Sequence, residues 1–217
     1  MDTREIYRMR FTESDKERKE KMWQVLVKYY LQQFVKKDFA VLDLGAGGCE
    51  FINNIVCGKK YAVDINPAVK NYAGAGVEAL VCKSTEISIV PDNSIDLVFA
   101  SNFFEHLPDR ETVLKTLREV GRILKSRGSI LLISPNIACV RWEFWNFFDH
   151  VLPLGPRGFC EALAASGFEI KKMAPRFLPY TTKSRLPQSS RLLRFYLKFP
   201  LCWRFFGKQM LIVAEKI

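Results

Sequence analysis

The stretch Val41-Leu42-Asp43-Leu44-Gly45-Ala46-Gly47-Gly48-Cys49-Glu50 constrains this chain more than any other. A short apolar strand runs into a glycine turn, and the turn runs into a helix. Glycine has no Cβ and tolerates positive φ, so backbone at such a turn can approach a ligand closely. Turns of this kind hold nucleotide-like cofactors at the carboxyl ends of parallel strands.

Spacing separates the cofactor classes. A dinucleotide fingerprint requires G-x-G-x-x-G, and counted from Gly45 the third glycine falls on Glu50. Asp43 stands two residues before the first glycine. Carboxylates on both sides of the turn repel a pyrophosphate, which argues against a nicotinamide cofactor. They tolerate or attract a cation, and S-adenosylmethionine carries both an ammonium and a sulfonium. The residues resemble motif I of the class I S-adenosylmethionine-dependent methyltransferases, D-x-G-x-G-x-G, through Asp43, Gly45 and Gly47. Cys49 replaces the third glycine, with Gly48 just before it.

Further landmarks follow in order. Tyr61-Ala62-Val63-Asp64-Ile65-Asn66-Pro67 reads as a second strand ending in an acid, about 20 residues beyond the first glycine, where an acid grips ribose hydroxyls. Pro91-Asp92-Asn93-Ser94 is a turn signal. The buried strand Ile95 to Ala100 then opens into Ser101-Asn102-Phe103-Phe104-Glu105-His106-Leu107, which resembles the fourth-strand segment of the same family. Val113, Leu114, Leu117, Val120 and Leu124 have helical spacing over Glu111 to Leu124. Arg127-Gly128 punctuates the chain before a fifth strand, Ser129 to Asn136. The β-α-β-α-β order implies a doubly wound, mostly parallel α/β sheet. The resemblance extends this to a seven-stranded Rossmann-like methyltransferase sheet with a final antiparallel strand, Gln209 to Lys216, beside a sixth at Phe168 to Met173. Gly158 to Gly167 reads as the helix before them.

Composition narrows the setting. A length of 217 residues suits one α/β domain spanning 1–217. The six cysteines show no metal-ligand rhythm and read as reduced thiols in a cytoplasmic protein. The charged first twenty residues exclude a signal peptide, and no apolar run approaches the roughly 18 residues of a spanning helix. The net charge is +10, yet outside 170–214 the 23 basic residues balance the 23 acidic ones. All of the excess therefore lies in 170–214, which contains no Asp or Glu. Within it, residues 175–207 form a long insertion before the last strand, where Arg and Lys interleave with Leu, Phe, Tyr and Trp. That pattern fits an anionic membrane surface, a phosphorylated lipid-linked substrate, or a helical cap with a solvated basic side. Residues 1–38 read as a helical extension with a stripe of Trp23, Leu26, Val27, Tyr30, Leu31 and Phe34. It either covers the first strand or caps the site, with Tyr7, Arg8 and Phe11 as lid candidates.

Roles follow from the resemblance, residue by residue. Asp43, Gly45, Ala46 and Gly47 would line the methionine end of S-adenosylmethionine. Asp64 would hold the ribose, with Ile65 and Asn66 on the adenosine side. Ser84 and Thr85 would stand near the adenine amine, and Ser101 and Asn102 near the methionine end. Asp43 could instead pin the turn through backbone amides. The chain contains two histidines, His106 and His150, and both follow strands where ligands bind. Either can serve as general base for a hydroxyl acceptor; the alternative for His106 is a structural hydrogen bond. The aromatic run Trp142 to His150 would wall a substrate pocket or pack as core. No metal is expected, because the adjacent Glu105 and His106 do not share a helix face. The family implied is that of compact bacterial methyltransferases of the type 11 group, acting on small-molecule, glycan or lipid-linked acceptors, with transfer to oxygen expected. Two alternatives remain open: an RNA methyltransferase using the basic region, or a non-catalytic membrane or assembly protein. Against RNA base methylation, Ser101-Asn102-Phe103-Phe104 stands where an N-P-P-Y-type motif would be.

Overall fold

Seven strands form one sheet in the order β3-β2-β1-β4-β5-β7-β6. The structure is a computed structural model; the residues it describes are 13–180 and 189–217. Tyr7, Arg8 and Phe11, and part of the 175–207 insertion, lie outside the described residues. The strands are β1 (Ala40–Leu44), β2 (Lys59–Asp64), β3 (Val77–Val81), β4 (Ile95–Ser101), β5 (Leu124–Pro135), β6 (Phe168–Ala174) and β7 (Gln209–Lys216). The first five pair in parallel, whereas β7 pairs antiparallel to both β5 and β6. The helices are α1 (Glu13–Tyr29), α2 (Glu50–Asn54), α3 (Val69–Tyr72), α4 (Arg110–Ile123), α5 (Ile137–Val140), α6 (Pro156–Ala165), α7 (Ser190–Lys198) and α8 (Pro200–Phe206).

Strand side chains alternate between two cores, as a period of two requires. Val98, Ala100, Ile130, Leu132, Met210 and Ile212 face one core, closed by Val113, Leu117 and Val120 of α4 and Phe159 and Leu163 of α6. Leu97, Phe99, Leu131, Ile133, Leu211 and Val213 face the other, closed by Leu26 and Val27 of α1, Phe51 and Ile52 of α2, Leu197 of α7 and Trp203 of α8. Both faces being buried explains why the central strands read as apolar runs. The N-terminal stripe is therefore core: α1 lies over the sheet, with Trp23 edge-on to Phe99 at 6.1 Å.

Two boundaries differ from the sequence reading. The fifth strand starts at Leu124 and runs through Arg127, which adopts φ 59 and kinks the strand without ending it. Asp96 helps anchor the early part, accepting from Lys125 Nζ and from the Ala40 amide, each at 2.8 Å. Pro200 stops α7 and also starts α8, where its missing N–H is harmless.

Candidate active site

The glycine turn is built from alternating left-handed residues. Gly45, Gly47 and Cys49 have φ of 70, 51 and 60. Cys49 thus keeps the backbone conformation that a third glycine would take, although its side chain makes that conformation strained. The amides of Gly45 and Ala46 both donate to the Val63 carbonyl, at 2.8 and 3.0 Å. The Gly47 amide donates to Asp64 Oδ2 at 2.9 Å, and the Asn66 amide to Asp64 Oδ1 at 2.8 Å. The acid that ends β2 therefore shapes the loop that follows β1. A Cβ at Gly45 would stand 2.4 Å from Phe103 Cδ2. The floor of the turn is consequently bare backbone with an aromatic ring beside it.

The electrostatics of this turn favour a cation. Asp43 is buried, and its carboxyl is held well above the usual range, first by burial and then by the charges of Glu50 and Asp64; the Ile52 amide offsets this in part. Burial and the same three acids push the Cys49 thiol up to about 12, which makes it an inert packing group. Lys19 of α1 reaches Glu50 at 2.7 Å, so the N-terminal helix touches the rim of the turn. Ile65 is 70% exposed, an open apolar face next to Asp64. Ser101 and Asn102 end β4 beside the end of β1, since Leu44 pairs with Ala100. Asn102 has φ 48, and its amide donates to the Ile133 carbonyl at 2.9 Å. Asp43, Gly45, Ala46, Gly47, Asp64, Ile65, Asn66, Ser101 and Asn102 are thus gathered at the carboxyl ends of β1, β2 and β4.

Ser84 and Thr85 sit differently. The Ser84 hydroxyl is 2.9 Å from that of Thr116 on α4, so it is engaged with the helix. Thr85 lines a groove with Glu86, Lys115, Arg118, Glu119 and Arg122. Arg122 spans that groove as a staple, ion-paired to Glu119 and Asp92 and donating to the carbonyls of Ile87 and Val90.

Beyond Phe103 the two histidines meet. Their ring centroids are 4.9 Å apart, at 80°. His106 Nδ1 is 2.9 Å from the Asp149 carbonyl oxygen, and Asp149 Oδ2 lies 3.5 Å away. A carbonyl only accepts, so the proton of neutral His106 sits on Nδ1 and Nε2 carries the lone pair. The structural hydrogen bond and the base role are therefore compatible. His150 is buried between Phe144 and Phe147, and its Nδ1 is 3.2 Å from the Tyr180 hydroxyl. The run Trp142 to His150 divides accordingly: Phe144 is core, while Trp142, Trp145 and Phe148 are exposed.

Glu105 completes the cluster. Ser134 donates to its Oε2 at 3.3 Å, whereas its Oε1 is buried without a hydrogen-bond partner among the described residues. Burial raises its pKa to about 8, with the Asp149 charge adding to the effect. Among the described residues, ligating atoms of Glu105, His106 and His150 lie within 4.8 Å of one another. Spacing along the chain does not reveal this, because His150 arrives from the loop after β5. Phe103, Ser134, Asp149 and Tyr180 carried no sequence signal of their own. The acid-histidine pair in the fourth-strand segment, His150 and the aromatic run before it marked the neighbourhood.

Comparison with known proteins agrees with this fold. Residues 42–132 match the model of a methyltransferase domain family. A probable methyltransferase of Aspergillus luteorubrus is 29% identical over 167 residues, covering 69% of this chain and 57% of its own. An uncharacterized protein of Methanocaldococcus jannaschii is 32% identical over 115 residues, covering 52% of this chain and 48% of its own. The chain thus spans about half the length of the curated relatives it matches. These relatives are fungal and archaeal, so a bacterial type does not follow. A solved S-adenosylmethionine-dependent methyltransferase from Archaeoglobus fulgidus superposes with a TM-score of 0.67 at 21% identity, over 91% of this chain and 94% of its own. Residues 42–132 thus resemble the methyltransferase domain family, in a chain that has the fold of the solved S-adenosylmethionine-dependent methyltransferases.

Proposed function

We propose that this protein transfers a methyl group from S-adenosylmethionine to an oxygen of a small-molecule, glycan or lipid-linked acceptor. The observation that carries the reading is the acid-lined, left-handed glycine turn set beside the His106–His150 pair, with Phe103 between them. The turn fits the cofactor: a Cβ would fill its floor at Gly45, Glu50 and Asp64 supply negative charge for a cationic ligand, and such a ligand would favour the ionised form of the buried Asp43. Asp64 would hold the ribose with the lone pairs left after its two amide bonds, and Ile65 would cover the adenine.

When bound, S-adenosylmethionine supplies an electrophilic methyl on a positive sulfur. The chain's own work is alignment, exclusion of water and removal of one proton. His106 takes that proton at Nε2. The Asp149 carbonyl holds the tautomer and the Asp149 carboxylate stabilises the imidazolium that forms. His150, caged by Phe144, Phe147 and Tyr180, packs against His106 and walls the acceptor side.

Titration calorimetry with S-adenosylmethionine, S-adenosylhomocysteine and NAD tests the cofactor, and an acceptor screen follows. His106→Ala should then lower turnover by roughly 100-fold or more while leaving cofactor affinity unchanged. Unchanged turnover in both His106→Ala and His150→Ala would remove the base assignment.

The unpartnered Glu105 Oε1 favours a second reading. Glu105, His106 and His150 could hold a divalent first-row cation, with the Asp149 carbonyl and Tyr180 hydroxyl orienting the two imidazoles from behind. Such an ion would activate the acceptor hydroxyl in place of the base. Chelation separates the two readings: a base-driven enzyme keeps its turnover in excess chelator, and a metal-driven one loses it and regains it on metal addition.

A further inference from the structure

The α7–α8 hairpin is apolar on two sides, and only one of them is explained by the core. Leu193, Tyr196, Leu197 and Trp203 face inward. Trp203 Nε1 donates to the Tyr196 carbonyl at 2.9 Å, and the Tyr196 hydroxyl donates to the Phe177 carbonyl at 2.5 Å. This anchors the hairpin firmly. The opposite side carries Phe195, Phe199, Leu201, Phe205 and Phe206, at 53, 47, 71, 70 and 49% exposure. A surface helix that has already buried one stripe ordinarily presents polar residues on the other. Here a second apolar stripe is left in solvent, and the Phe195 and Phe199 rings pair at 4.3 Å.

The charges on the hairpin itself have one sign. Arg191, Arg194, Lys198 and Arg204 are exposed along it, and no Asp or Glu occurs from 170 to 214. A second copy of this chain would set these cations against their own kind. A negatively charged surface that also accepts aromatic rings is the complementary partner. Nine residues of α7 span only about 14 Å, well short of a bilayer core. No helix among the described residues is long and apolar enough to cross a membrane. The hairpin can therefore lie on a bilayer but cannot span one.

We infer that the outer face of α7–α8 docks on an anionic phospholipid surface, with Phe195, Phe199, Leu201 and Phe205 entering the interface and the basic residues meeting the headgroups. The hairpin is joined to the candidate active site. Lys208, just after α8, pairs with Glu143, which stands between the exposed Trp142 and Trp145 on the segment leading to His150. Docking here brings the acceptor side of the protein to the membrane. The docking itself rests on exposure and charge and holds whether or not methyl transfer is confirmed; the placement of the acceptor side rests on the proposed function.

Flotation of the full chain with phosphatidylcholine–phosphatidylglycerol vesicles, against pure phosphatidylcholine vesicles, tests it. Expected are binding to the anionic vesicles alone and release by salt. Phe195→Ser with Phe205→Ser should lose on the order of tenfold in partitioning. Arg191→Gln and Lys198→Gln should each lose roughly fivefold. These residues are exposed, so the fold, checked by circular dichroism, should be unchanged. Absence of binding to anionic vesicles, equal binding to both vesicle types, or parental binding by the double Phe variant would overturn the inference. So would oligomerisation or RNA binding that the same variants abolish while vesicle binding stays intact.

Discussion

Asp64 and Gly47 are joined across seventeen residues of chain: the carboxylate of one accepts the amide of the other at 2.9 Å. The strand-two acid is thus a structural part of the glycine turn before any ligand arrives. Asp64→Ala leaves the Gly47 and Asn66 amides without their acceptor, which should destabilise the fold by about 1–3 kcal/mol. It should also weaken S-adenosylmethionine binding by at least about tenfold, equivalent to roughly 1.4 kcal/mol. Asp64→Asn keeps one acceptor oxygen and should fall between. Denaturant unfolding and calorimetry on the same samples check both effects; parental affinity in Asp64→Ala would restrict Asp64 to the turn.

Gly45 and Phe103 form a second pair whose contact is specific. Gly45→Ala puts a Cβ 2.4 Å from the Phe103 ring at a φ of 70. The expected loss is about 2 kcal/mol or more, from the left-handed backbone and the ring displacement together. Gly45→Ala with Phe103→Ala relieves the contact and leaves the backbone strain, so the two changes should be less than additive. Additive losses in unfolding free energy would show that the ring does not resist the new methyl group.

Cys49 offers a test of strain alone. It is fully buried at φ 60 and ψ 21. Cys49→Ala removes the sulfur and keeps the strain, whereas Cys49→Gly removes both. The glycine variant should be the more stable of the two by about 1 kcal/mol. Coincident denaturation midpoints would contradict this.

Glu105 should give the fold a pH dependence. Its carboxyl keeps its proton up to about 8 in the folded state, against 4.5 for the free group. Between those values the folded protein binds more protons than the unfolded one. The group's contribution is therefore fully present below 4.5 and is lost as pH rises through 8. The slope can reach about 1.4 kcal/mol per pH unit. Glu105→Gln, neutral at every pH, should flatten unfolding free energy measured across this window. An unchanged slope would mean that water or a cation reaches Oε1.

Much of the frame was legible in the chain because it is encoded locally. Gln209–Lys216 is the last strand, as read, and the glycine turn sits where Gly45 and Gly47 place it. Asp64, Ile65, Ser101 and Asn102 follow their strands by short loops, so strand order carries them to the same edge. The orientation of Ser84 was not legible, because a hydroxyl after a strand says nothing of which neighbour it turns toward, and here that neighbour is Thr116. Arg127 was misread as a boundary because cross-strand pairing carries β5 through a local kink.

The sequence alone determined the β-α-β-α-β frame, the glycine turn and the acids that surround it, because alternating and helical periodicities and a glycine's freedom act over a few residues; the antiparallel last pair was implied only by the resemblance. The tertiary structure decided the rest. It brought His150 to His106 across 44 positions, buried Glu105 Oε1 without a hydrogen-bond partner among the described residues, and turned one face of α7–α8 inward and the other out. These relationships depend on which surfaces pack against which, and burial, unlike periodicity, is a property of the whole fold.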